Sequence, residues 1–154
     1  MACHAAMNTK FLSLSATDGV MDALAAMKKS DADIAPVTDE NGATVGILSL
    51  KIIFENLLPL SVDTGGSIGG VHLGAGPGIA KRLNKILPLK VSDLMERKFS
   101  SLHPDTPLWE AVNSLVQNNG APILVIEPKS GKTLGLLSAQ STFAELERLK
   151  DSEK

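Results

Sequence analysis

The chain has 154 residues, 44% of them hydrophobic and 21% charged, with a formal net charge of -2, which excludes wholesale disorder and a globally basic nucleic-acid binder. Its one cysteine, Cys3, has no partner for an internal disulfide, and no apolar run reaches the roughly 20 residues of a membrane helix. The first ten residues lack a signal-peptide core, so a cytoplasmic protein without a membrane span is expected.

Residues 1–10 read as an N-terminal tail. A short strand over 11–14 leads to Thr17 and Asp18, residue types suited to cap a helix. Val20, Ala23, Leu24 and Met27 then fall on one helical stripe. A strand over 34–38, a turn at Asn41 and Gly42, and a strand over 44–48 follow as a hairpin. Ile53, Phe54, Leu57 and Leu58 mark a second helix. Residues 59–90 interrupt the pattern: seven of the 13 glycines fall within 65–78, the composition of a loop. Pro77 suits the first turn of a short helix with Ile79, Leu83, Ile86 and Leu87 on one face and Lys81, Arg82 and Lys85 on the other. Helix, hairpin and helix then return. Leu108, Ala111, Val112, Leu115 and Val116 mark the first helix, strands cover 123–126 and 133–137, and Phe143, Leu146 and Leu149 mark the last helix. Residues 150–154 read as a C-terminal tail.

This recurrence is a duplication in the residues themselves. Phe11 lies over Phe99, Leu14 over Leu102, Ala23 over Ala111 and Met27 over Leu115, at a constant offset of 88. One extra residue at the turn then brings Gly46 over Gly135, Ser49 over Ser138 and Phe54 over Phe143. A unit of about 48 residues is too small to bury a core alone, so two must pack together. Charge is polarised along the chain: residues 79–98 hold six basic and two acidic groups, residues 1–63 four basic and eight acidic.

Little else points to chemistry. Ser130 to Thr133 spells the end of a phosphate-binding loop, but Ile126 stands where its first glycine belongs, and the segment joins two strands. Residues 74–78 before the basic helix read either as a plain linker or as a nest of amides for an anion. His4, His72 and His103 lack metal-ligand spacing. No nucleophile with a base, and no distinct carboxylate pair, is readable, so no enzyme is expected. Trp109, over Met21, is either core filler or an exposed anchor for a second copy. The basic helix over 79–87 has three readings: packing on its own pair, docking a protein partner together with the Gly-rich insertion, or lying on an anionic membrane surface.

The duplicated unit resembles the tandem CBS domain pair, named for cystathionine β-synthase and also called a Bateman module. The residues that carry the resemblance are VSDLM at 91–95, SSLHPDTPLWEAV at 100–112, APVTDENGATVGILS at 35–49 and VIEPKSGKTLGLLS at 125–138. It implies an α/β (α+β) fold of two β-α-β-β-α repeats, 11–58 and 91–149, packed sheet to sheet as one pseudo-two-fold module. It also implies a non-catalytic regulatory role, a homodimer, and clefts between the repeats for an adenosine-type ligand such as AMP, ADP, ATP or S-adenosylmethionine. Carried over residue by residue, the first repeat offers Ser13, Ala32, Ile34, Pro36 and Ser49. The second offers Ser101, Ala121, Pro122, Ile123, Ser138 and Ser141, and is the stronger candidate. The family's ribose-binding aspartate is replaced by Ile52 in the first repeat and Ser141 in the second. That loss favours, as the alternative, a homodimerisation scaffold that uses the fold without a ligand. Nucleic acid is not an expected partner, although Lys81, Arg82, Lys85 and Lys90 would be the residues to carry it.

Overall fold

The computed structural model describes residues 2–58 and 78–152. After a 3-10 turn at Cys3–Ala5, the first repeat runs β1 (Leu14–Ser15), α1 (Val20–Ser30), β2 (Ile34–Thr38), β3 (Thr44–Ser49) and α2 (Leu50–Leu57). Helices α3 (Ile79–Ile86) and α4 (Val91–Leu94) follow. The second repeat is β4 (Ser101–Leu102), α5 (Leu108–Gln117), β5 (Ile123–Ile126), β6 (Thr133–Leu137) and α6 (Ala139–Leu149). Most of the Gly-rich insertion, with His72 and all but Gly78 of the amide nest expected over 74–78, lies outside the described residues.

Each repeat makes a three-stranded sheet of the same design. β1 pairs parallel with β2 and β2 antiparallel with β3; β4, β5 and β6 do the same, Leu14 facing Val37 as Leu102 faces Val125. β2 and β5 are apolar on both faces, Ala35, Pro36 and Val37 and then Ile123, Leu124 and Val125 being buried, as befits the middle strand of each sheet. The β2–β3 turn closes as expected: the Asp39 carboxylate accepts from the amides of Asn41 and Ala43, and Gly42 takes φ +84.

Two expectations fail at the start of the chain. The N-cap of α1 is Gly19, not Thr17 or Asp18, because the Asp18 carboxylate accepts from the Ser15 amide at 2.9 Å instead. Residues 2–8 are not a free tail. Cys3 and Ala6 are buried in the core of the second repeat, with Leu108, Ala111 and Leu137. The Cys3 amide donates to Thr106 O at 2.7 Å, as the Val91 amide donates to Asp18 O at 2.8 Å. Asn8 then bridges to Leu136 as Glu96 bridges to Ile47. The segment before each repeat is thus packed on the other repeat: Val91 and Met95 belong to the first core, Cys3 and Ala6 to the second.

Helix α3 lays its apolar face on the first core, with Ile86 buried and Leu83 and Leu87 packed against it. Of its three expected placements, this is the one the structure gives. The remaining helices carry more apolar residues than the cores cover. Met21, Phe54, Trp109, Val116 and Phe143 are each more than half exposed. Trp109, at 71%, is on the surface and not core filler.

Candidate functional site

Where the two repeats meet, the chain leaves a cleft of about 1000 Å³. The first repeat supplies the start of β2 (Asp33, Ile34), the end of β3 (Ile47, Ser49) and the outer side of α2 (Leu50, Lys51, Phe54, Glu55). The second repeat supplies Ala121, Pro122 and Leu124. The residues joining α4 to β4 close the cleft with Glu96, Lys98, Phe99 and Ser100. Short backbone bonds fix the junctions: the Leu50 amide donates to Asp33 O at 3.0 Å, and Glu96 exchanges amide–carbonyl bonds of 2.9 Å with Ile47. A smaller hollow of about 270 Å³ adjoins it, sharing Ser100 and Asn118 and lined further by Ser101, Ser114, Gln117 and Ile123.

The candidates from the sequence divide accordingly. Ile34, Ser49, Ala121 and Pro122 line the large cleft; Ser101 and Ile123 line the small one. Ser13, Ala32, Pro36, Ser138 and Ser141 line neither. Pro36 is buried and paired with Ile47, and Ser13 is exposed ahead of β1. Ser138 and Ser141 cap α6 reciprocally: Ser138 Oγ accepts from the Ser141 amide at 2.9 Å, and Ser141 Oγ accepts from the Ser138 amide at 3.0 Å. Ser141 Oγ also sits 3.2 Å from Ser138 O, as a donor. Ser49 caps α2 more simply, accepting from the Ile52 amide at 3.2 Å, which leaves its hydroxyl proton free to donate into the cleft. Ile52 itself is buried in the first core and does not reach the cleft.

Sequence reasoning missed the charged lining: Lys51 and Glu55 on α2, and Glu96 and Lys98 at the joint. A signal was available. Lys51 and Glu55 are four apart and flank the buried Ile52 and Ile53, so they share the outer side of α2. What the sequence hid was that residues 96–100 cross from one repeat to the other.

Paired sheets of identical order, a pseudo-two-fold relation and a ligand-sized cleft between the halves define the class of a tandem α/β repeat. The CBS domain model matches residues 3–59 and again 91–146, and the chain belongs to the CBS domain family as a tandem pair. Both matches begin at the short turn that packs on the other repeat, at Cys3 and its equivalent Val91. Among solved structures, the chain is similar to the CBS-pair protein CBSX2 from Arabidopsis thaliana, at 20% identity and TM-score 0.74 over 97% of this chain and 96% of that one. A structure of CBSX2 in complex with AMP matches at 20% identity and TM-score 0.70, covering 97% and 98%. A CBS domain-containing protein of unknown function from Bacillus anthracis matches at 17% identity and TM-score 0.73, covering 96% and 94%. No curated protein matches the sequence. No helix among the described residues is long and apolar enough to cross a membrane.

Proposed function

We propose that this chain is a regulatory, non-catalytic module that binds a small adenosine-type ligand in the cleft between its repeats and alters its contacts with a partner. The carrying observation is the composition of the large cleft. Ile34, Leu50 and Pro122 offer apolar walls for a base, Ser49 at the start of α2 offers a hydroxyl, and Lys51 and Lys98 offer positive charge. This shifts the emphasis from Ser138 and Ser141, whose hydroxyls cap α6, to Ser49 and the residues around it.

A homodimer belongs to the same reading. α6 turns Thr142 and Glu145 inward and shows Phe143 and Leu146 to solvent, an inversion that suits a helix covered from outside as well as inside. Met21 and Trp109 are equivalent positions on α1 and α5, and Phe54 and Phe143 on α2 and α6. These two pairs of exposed apolar residues follow the pseudo-two-fold and present matching patches to a second copy.

The ligand test is a thermal-shift titration with AMP, ADP, ATP and S-adenosylmethionine at fixed protein concentration. A ligand present at about 100 times its Kd stabilises the native state by roughly 2.7 kcal/mol, several degrees for a chain of this size. Ser49→Ala and Lys51→Gln reduce the shift, while Ser101→Ala does not. A dimer indifferent to every ligand would support the scaffold reading instead, which the lack of a carboxylate at Ile52 and Ser141 favours.

A further inference from the structure

The charges around the large cleft do more than attract an anion. Lys51 and Lys98 face it together with Asp33, Glu55 and Glu96, five exposed groups with a surplus of one negative charge. No ion pair ties any of the five to another described residue, so all remain available to a ligand. Two ammonium groups match the charge of one phosphate. A second and third phosphate would find no further cation among the described residues of the cleft and would meet carboxylates.

We infer that the cleft is charge-selective for a nucleoside monophosphate over the corresponding di- and triphosphates, with Lys51 and Lys98 neutralising a single phosphate and Glu55 and Glu96 repelling any more. This rests on the adenosine-type reading of the cleft and adds to it the number of phosphates. Each extra phosphate charge held about 8 Å from an uncompensated carboxylate weakens binding roughly 3-fold at moderate salt. The triphosphate, about two charges beyond the monophosphate, is then weaker by roughly 10-fold. Glu96 contributes its side chain without structural cost to test, since its bridge to Ile47 is made by the backbone.

The experiment measures the Kd of adenosine, AMP, ADP and ATP by calorimetry on the full chain, without magnesium and at constant ionic strength. AMP binds most tightly and ATP about 10-fold more weakly, and the double variant Glu55→Gln/Glu96→Gln narrows that gap to about 3-fold or less. Raising the salt from about 0.05 M to about 0.5 M narrows it in the unmodified chain as well, an independent readout should the double variant not fold. ATP binding as tightly as AMP, or a gap that neither the variant nor salt changes, overturns the charge selection while leaving the adenosine site standing. Failure of all four ligands, uncharged adenosine included, overturns the adenosine reading itself and the selection with it.

Discussion

The hydroxyl oxygens of Thr44 and Thr133 lie 2.6 Å apart. The two residues hold the same place, at the start of β3 and of β6, so the pair sits where the repeats' pseudo-two-fold brings equivalent atoms together. The Thr44 amide donates to Gly131 O at 2.8 Å beside it. A contact of this kind is its own symmetry mate, and each hydroxyl has the other as its partner. Thr44→Val then leaves the Thr133 hydroxyl unpaired in a part-buried setting and costs about 1 kcal/mol. The double variant Thr44→Val/Thr133→Val costs no more than either single one, a coupling that a urea-denaturation cycle measures directly. Additive losses would show that the two hydroxyls act independently.

The same relation repeats at the two crossing segments. A Cβ on Gly46 would stand 2.9 Å from both Glu96 O and the Met95 thioether, and one on Gly135 would stand 2.9 Å from Asn8 O and 2.8 Å from Met7 Cγ. Backbone carbonyls cannot give way without breaking the bridges at Ile47 and Leu136. Gly46→Ala and Gly135→Ala are each expected to lose about 1–3 kcal/mol, through overpacking and not through backbone dihedral strain. Gly46→Ala should in addition weaken ligand binding, because Glu96 and Lys98 move with that segment, whereas Gly135→Ala should not. Equal effects of the two on affinity would count against placing the ligand in the large cleft.

Much of this architecture is legible in the sequence, and the exceptions have physical causes. The offset of 88 exposed the repeat because strands and glycines kept their types. It missed the first turn because Cys3-His4-Ala5-Ala6-Met7 shares only its methionine with Val91-Ser92-Asp93-Leu94-Met95. Both segments nevertheless bury their first residue completely, Cys3 and Val91 each at 0% exposure. Burial asks for a small apolar side chain, and cysteine meets that as well as valine does. Helical periodicity identified the stripes of α2, α5 and α6 but could not separate core from outer surface. Phe143, Leu146 and Leu149 share a stripe, yet only Leu149 is buried. The cleft was half legible: Ile34, Ser49, Ala121 and Pro122 were among the residues the family resemblance implied, while Glu96 and Lys98 depend on which repeat the joint crosses to.

Thr142 illustrates a cost the fold tolerates. Its hydroxyl is buried on the inward side of α6 with no hydrogen-bond partner, next to a buried Glu145 that pairs with Arg148. An isosteric methyl removes the unsatisfied oxygen without changing the packing volume. Thr142→Val is expected to stabilise the chain by about 1 kcal/mol, read as a raised urea midpoint with unchanged slope. Loss of stability would mean that the hydroxyl is satisfied in solution, for instance by a buried water.

Trp109 reports on assembly by itself, since it is the only tryptophan and is 71% exposed in the single chain. Dilution through dissociation of the proposed homodimer should shift its emission to the red as the indole returns to water. Trp109→Glu and Phe143→Glu should each give a monomer by sedimentation, with a melting temperature close to that of the dissociated parent. Neither residue belongs to a core, so a variant that unfolds outright would contradict their placement on the surface.

Cys3 makes the stability of the second repeat depend on pH. Its thiol is fully buried and donates to His103 O at 3.1 Å, and burial pushes its pKa above the ordinary value of 9.0. Below that value the thiol is neutral in both the folded and unfolded chains. Above it the unfolded chain releases the proton first, so the folded state binds more protons and stability falls as pH rises toward the folded pKa. Cys3→Ala lacks this dependence while keeping every other titrating group, which makes the difference between the two proteins the informative quantity. At pH 7 the parent is the more stable by about 1 kcal/mol, for the lost sulfur packing. The gap should narrow as the pH rises above about 9 in paired urea titrations. A gap that stays constant over that rise would mean that the thiolate is accommodated at the core as readily as the thiol, and that the turn at Cys3–Ala5 opens to water in solution.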